Sequence, residues 1–275
     1  MKKNHAYLLS VILSCLLCVC TITSTTFAFS PEYSHNLSYD TILVNGKEIK
    51  VSTLLTDDER DKLVNLFKEI PTLSTDGIFT DFDQSITTIQ DYNIPQQKKD
   101  NIKKSVIPTS KLALSIVKSD ISTSSQKKYK IQSVAKWKSS PRVKNKDKFA
   151  LAWAGNFAVS SYSSKAYWKT STGQSTTVNS PLESIKANAG IAYEYQCGNS
   201  DNSFSFNPWY VQINATLSRA KGNGNNRANI VAKYAHKTNG SGGISVSISP
   251  GSISFSISNG ASYDTASPVS TTLSY

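Results

Sequence analysis

Cys197 and His236 are the two side chains of this sequence with the chemistry of a nucleophile and its base. The thiol lies in Tyr195-Gln196-Cys197-Gly198-Asn199, at the end of a strand-like run, and the imidazole lies inside another such run. Nothing in their spacing brings them together, so the sequence supports a thiol without a catalytic role. Downstream of Ala28 there is no His-x-x-x-His and no second cysteine, so no zinc site is expected. Glycoside hydrolysis needs two facing carboxylates. The acids after residue 110 are Asp120, Asp147, Glu183, Glu194, Asp201 and Asp264. Glu194, flanked by Tyr193 and Tyr195, is the best single candidate, and simple surface exposure is its expected state. Asp81-Phe82-Asp83-Gln84-Ser85 begins like a calcium loop, but Ile86 replaces the required glycine and Tyr92 the bidentate glutamate. There is no Gly-x-Ser-x-Gly elbow and no phosphate-cradling glycine loop. No cofactor is expected, and an enzyme is the disfavoured class.

The strongest chemical signal is basic. Lys136, Lys138, Arg142, Lys144, Lys146 and Lys148 crowd into one short segment, opposed there by Asp147 alone. Such density attracts polyanions. The plain alternative is a solvated face that only aids solubility.

The N-terminus decides which polyanion. Lys2 and Lys3, the apolar run Ala6 to Ile22 and the small residues around Ala28 form the pattern of a secretory signal peptide over residues 1–28. A retained anchor and a lipidated Cys15 are the alternatives. Cleavage would remove Cys15, Cys18 and Cys20 and leave Cys197 as the single cysteine, so the secreted chain would rely on its core rather than on disulfides. Secretion makes nucleic acid a poor partner. It favours an anionic cell-wall polymer, an acidic glycan or an anionic lipid surface.

The remainder is electrically divided. Residues 29–110 carry 9 Lys+Arg and 13 Asp+Glu, whereas residues 111–275 carry 19 and 6. The first part reads as an acidic α+β segment over 29–93. Thr41 to Val51 suggests a hairpin about Asn45-Gly46. Thr56-Asp57-Asp58-Glu59 is a capping box that starts a helix near 57–70, with Leu63, Leu66, Phe67 and Ile70 at helical spacing and Pro71 after it. Residues 94–110, with two prolines and four lysines, read as a linker. The acidic part could mask the basic one, or the two could share one fold.

Residues 111–275 read as a basic antiparallel β domain, a sandwich or barrel-like unit. Tyr129, Ile131, Ala135 and Trp137 alternate with Lys130, Gln132, Lys136 and Lys138, a half-buried strand with a lysine face. Phe149, Leu151 and Trp153 alternate with alanines, and Ile191 to Gln196, Tyr210 to Ala220 and Ala228 to Lys237 continue the series. Ile244 to Ser258, folded about Pro250-Gly251, puts every apolar residue on one face and every serine on the other.

The whole chain is thus expected to be mainly β, with a small α+β segment ahead of the β domain. Its favoured role is a secreted, non-catalytic β-protein that binds an envelope, glycan or host surface through its basic face. A membrane-active or pore-forming β-protein, with the Ser/Ile hairpin as its inserting element, is the second reading. A secreted hydrolase is the third. The oligomeric state is left open.

Overall fold

The computed structural model describes residues 38–275 apart from 84–104, 140, 142, 144, 170–174, 180, 198–206, 221–225 and 259. The signal-peptide and lipidation readings, most of the 94–110 segment, and the end of the calcium-like loop lie outside the described residues. Among the described residues, no helix is long and apolar enough to cross a membrane.

Asn45 and Gly46 both adopt positive φ (50° and 75°), which matches the right-handed twist of flanking strands. They join β1 (Tyr39–Val44) to β2 (Lys47–Ser52) in antiparallel register. Helix α1 (Asp57–Glu69) follows. The Thr56 hydroxyl accepts from the Glu59 N–H, and the Glu59 carboxylate accepts from the Thr56 N–H, so the capping box is complete. Three acids in the first turn face the positive end of the helix dipole. Leu63, Leu66 and Phe67 form the buried stripe.

The later strands follow the alternation of the sequence. They are β5 (Leu112–Asp120), β6 (Gln126–Trp137), β7 (Lys146–Trp153), β8 (Ala158–Lys169), β9 (Ser175–Asn179), β10 (Leu182–Lys186), β11 (Gly190–Gln196), β12 (Asn207–Ala220), β13 (Arg227–Asn239), β16 (Ser262–Ala266) and β17 (Val269–Ser274). Of these, β6, β7, β11, β12 and β13 match the runs read from the sequence; β5, β8, β9, β10, β16 and β17 do not correspond to any run named there, and neither do two short strands, β3 (Ile78–Asp83) and β4 (Ser105–Ile107). β4 lies inside the segment read as a linker and pairs parallel with β16.

One sheet has eight strands in the order β1-β2-β3-β5-β6-β12-β8-β9. The other has seven, in the order β10-β11-β7-β13-β16-β4, with β17 also paired to β13. Neither closes into a barrel, and the architecture is mostly β and consistent with a sandwich. A single apolar cluster takes Leu112, Ile131, Trp137 and Ile213 from the first sheet, and Phe149, Trp153, Ile191 and Ile230 from the second. Trp137 and Trp153 are both buried, and the Trp153 Nε1 donates to the Phe157 carbonyl at 2.9 Å.

The outer face of the first sheet has its own cover. Leu63, Leu66 and Phe67 of α1 pack with Ile49, Val51 and Phe79 on Val117 and Val134. β3 bridges the two electrical halves by pairing with β2 on one side and β5 on the other. Ser38–Tyr275 form one compact unit.

The outer face of the second sheet is covered by β14 (Ile244–Ser249) and β15 (Ser252–Ile257), which pair only with each other. Ile244 faces Ile257, Val246 faces Phe255 and Ile248 faces Ile253. A two-residue connection suffices, because Pro250 presets its own φ and Gly251 supplies φ +68°. Ile248 and Ile253 seat on Ala150, Ala152 and Ala192, whose small side chains let the ribbon approach closely. Gly190 completes that seat. A Cβ there would lie 2.5 Å from the Leu151 carbonyl and 2.6 Å from Ile248 Cγ2. Gly190→Ala should therefore destabilise the protein by about 1–3 kcal/mol, an overpacking cost. A thermal melt checks this, and an unchanged midpoint would mean that the ribbon is loosely held.

Candidate functional site

Three neighbouring strands of the second sheet, β11, β7 and β13, each send an inward row into the core. The rows are Tyr193, Tyr195 and Cys197; Asp147, Phe149, Leu151 and Trp153; and Ile230, Ala232, Tyr234 and His236. Tyr195 lies opposite Asp147, and the Cys197 N–H donates to the Asn145 carbonyl one step further along. Ala235 lies opposite Lys148, which places His236 beside Asp147. The three rows therefore end together in Cys197, Asp147 and His236. Cys197 Sγ, one ring nitrogen of His236 and a carboxylate oxygen of Asp147 all lie within 4.8 Å of one another.

The cluster is buried: Asp147 and Cys197 are 0% exposed and His236 is 5% exposed. The His236 Nδ1 is 2.9 Å from both oxygens of Asp147. The Tyr234 hydroxyl donates to Asp147 Oδ2 at 2.6 Å, and the Lys237 backbone N–H donates to Oδ1 at 3.2 Å. Across the core, the Trp137 Nε1 donates to the Tyr234 oxygen at 3.1 Å. The Trp137 ring stands edge-on to His236, 5.0 Å between centroids. Burial raises the Asp147 pKa, although His236, Tyr234 and the Lys237 N–H oppose the shift. Burial also pushes the Tyr234 phenol well up, helped by the negative charge of Asp147 and by Cys197.

The nucleophile and base types noted in the sequence do meet here, and Asp147 joins them. The sequence offers Asp147 as a counter-charge to the lysines and as one of six acids after residue 110, with nothing linking it to Cys197 or His236. The missed signal was its phase, since it shares the inward parity of Phe149, Leu151 and Trp153. A buried carboxylate needs partners, and an acid in phase with a core run points to a buried polar cluster.

The lysine segment is not one face. Lys136 is on β6 in the first sheet, whereas Lys146 and Lys148 are on β7 in the second. Lys136 pairs with Glu69 of α1 at 2.6 Å. Lys146 pairs with Glu194 at 2.7 Å, and the buried Lys148 pairs with Glu183 and Glu194. Lys138 is exposed. Arg142 and Lys144 lie outside the described residues. Glu194, the candidate acid, is thus a partner of two lysines. Burial alone would raise its pKa, but the Lys146 and Lys148 ammoniums outweigh it and hold the carboxyl below its ordinary value. Asp81, the first ligand of the calcium-like loop, instead accepts from Lys118 at 3.2 Å and from the Thr271 hydroxyl at 2.5 Å.

The lysine face expected on β6 is largely covered. Lys130 bonds Ser74 and Asp76, at 2.6 and 2.7 Å, and Gln132 is 2% exposed. Among the described residues, β12 and β8 continue this outer face past α1, with Tyr210 part-buried against the helix-side cluster and Gln212 2% exposed. Tyr167 of β8 stacks on Tyr210 of β12, 4.4 Å between centroids. Asn214 accepts from Gln212 at 2.7 Å and donates to Ser163 at 3.3 Å, a polar ladder along the same strands. Lys165, on the same side of β8, is exposed. Lys111, Lys138 and Lys165 make no ion pair among the described residues. Leu66, Glu69, Ala113, Ser115, Val134, Lys136 and Lys138 line a groove of about 240 Å³ between helix and sheet. That is less than the roughly 300–1,000 Å³ of a small-molecule pocket.

No protein-family model matches the chain, and no curated protein matches it. Among solved structures, the collagen-binding subdomain of the Enterococcus faecalis surface protein ACE is similar at 5% identity, over 50% of this chain and 87% of that one. The TM-score of 0.28 is too low for the likeness to carry an argument.

Proposed function

We propose that the protein is a secreted, non-catalytic β-protein that holds an anionic cell-wall polymer or acidic glycan on the outer face of its eight-stranded sheet. One observation carries this reading. Lys111, Lys138 and Lys165 stand exposed and, among the described residues, make no ion pair, while Tyr167 and Tyr210 stack on the same face. A flat sheet with free ammoniums, hydroxyls and amides suits a long polymer, and the groove beside it is too small for enclosed chemistry. In this reading residues 29–93 are an acidic α+β cover. Glu69, Asp76 and Asp81 pair with Lys136, Lys130 and Lys118. The membrane-active reading is the weaker one. Each hairpin arm has six residues, about 20 Å, where a spanning strand needs about 9–11. Its apolar side is already seated on the alanines.

Retention of the full chain on an immobilised anionic polysaccharide should fall steeply with salt, because exposed charges are screened over about 10 Å at 0.1 M. Replacing Lys111, Lys138 and Lys165 with Gln should weaken retention by about tenfold or more, each lysine being worth about 1 kcal/mol near an anionic surface. Lys146→Gln, which removes a charge already paired to Glu194, should change it little. Equal retention of the triple variant and the parent overturns the reading. Stronger retention on anionic vesicles than on the polysaccharide would assign the surface to lipid instead.

A further inference from the structure

We propose that Asp147, Cys197 and His236 form a binding site for a divalent cation that favours thiolate and imidazole ligands, with zinc as the type case. The donor set is sulfur, nitrogen and oxygen, one from each of three adjacent strands, converging within 4.8 Å. Tetrahedral zinc, with bonds of about 2.0–2.3 Å, sets neighbouring donors about 3.3–3.6 Å apart. Small rotamer shifts bridge the difference. Such convergence on strands is rigid in a way that loop ligands are not.

The surroundings are those of a ligand site. Cys197 packs in the apolar core, as buried thiols ordinarily do, and its sulfur in addition lies within 4.8 Å of a carboxylate oxygen and an imidazole nitrogen. Asp147 is fully buried, with the neutral Tyr234 hydroxyl and Lys237 N–H beside the His236 imidazole, and a dication would offset the cost of burying its charge. An outer layer of hydrogen bonds is also in place. Trp137 donates to Tyr234, and Tyr234 and the Lys237 N–H hold Asp147. Such outer partners set ring orientation and ligand basicity in metal sites. Binding deprotonates the thiol and displaces the proton shared by His236 and Asp147, so each cation taken up releases up to two protons to solvent.

The test uses the full chain, stripped with a chelator, reduced and titrated with Co²⁺. One equivalent should bind and produce a thiolate-to-cobalt charge-transfer band in the near ultraviolet, with the visible bands of a tetrahedral site. Zn²⁺ should displace it stoichiometrically. Cys197→Ala removes a small buried side chain and should abolish the charge-transfer band. Tyr234→Phe keeps all three ligands and should weaken zinc by about 10–100-fold while preserving the band. Folding of each variant is checked by near-ultraviolet circular dichroism. If Cys197→Ala fails to fold, protection of Cys197 from a thiol reagent by one equivalent of Zn²⁺ in the parent chain gives the same answer. No band and no protection in the parent chain overturn the proposal. A band that survives Cys197→Ala overturns the assignment of the site.

Discussion

A chain shortened to begin at Lys111 should lose cooperative folding. The shortening removes β1 to β4 and α1, so β5 becomes a bare sheet edge and β16 loses its parallel neighbour. It also strips Val117 and Val134 of the cover formed by Leu63, Phe67, Ile49, Val51 and Phe79. Each large apolar side chain returned to water or left without its cavity partners costs about 1.5–3 kcal/mol. For Val117 and Val134 together that is about 3–6 kcal/mol, a large share of the roughly 5–15 kcal/mol that holds a domain folded, before the lost strand pairing of β5 and β16 is counted. The lost pairs from Asp76, Asp81 and Glu69 to Lys130, Lys118 and Lys136 add little, since exposed ion pairs are worth about 0–1 kcal/mol. They would nevertheless leave a chain of strongly positive charge with an exposed apolar face. The expected result is a broad melt, strong binding of a hydrophobic dye and aggregation at low salt. A sharp melt within a few degrees of the full chain would show that residues 111–275 are a self-sufficient domain. It would also make the acidic part a removable mask.

The second large effect belongs to Asp147. Asp147→Ala takes the acceptor from three donors at once, the Tyr234 hydroxyl, the His236 ring and the Lys237 N–H. The Tyr234 hydroxyl and the His236 ring stay buried and lose this acceptor, although Tyr234 still accepts from Trp137 Nε1. Breaking such a buried network by removing one member costs about 3–5 kcal/mol. For a chain of this size that lowers the melting midpoint by roughly 6–20 °C. Asp147→Asn keeps the volume and one acceptor, and should cost clearly less. Melts run in chelator keep any bound cation out of the comparison. A loss under 1 kcal/mol for Asp147→Ala would mean that water or a rotated Tyr234 restores the missing bonds.

Local features were read correctly from the sequence because they are written in neighbouring residues. The Thr56–Glu59 capping box, the Asn45-Gly46 turn and the pairing of Ile248 with Ile253 each need only a few contiguous positions and a fixed backbone period. The strands around Trp137 and Trp153 follow from alternation over long runs. β3 and β4 escaped notice because six and three residues carry too little periodicity, and their pairing partners lie far along the chain.

The fate of the charges was of another kind. From the sequence, Lys136, Lys138, Lys146 and Lys148 look like one basic patch. The strand order sends β6 and β7 into different sheets, and each sheet then finds carboxylates from distant segments, Glu69 for one and Glu183 and Glu194 for the other. Cys197, Asp147 and His236 show the converse. They are widely separated in the chain and carry no spacing motif, yet β11, β7 and β13 become neighbours in one sheet and their inward rows end at the same level. Periodicity tells which side of a strand a residue occupies. It does not tell which strand lies alongside, and that depends on burying the Trp137 and Trp153 core, which no local segment of the chain can do alone.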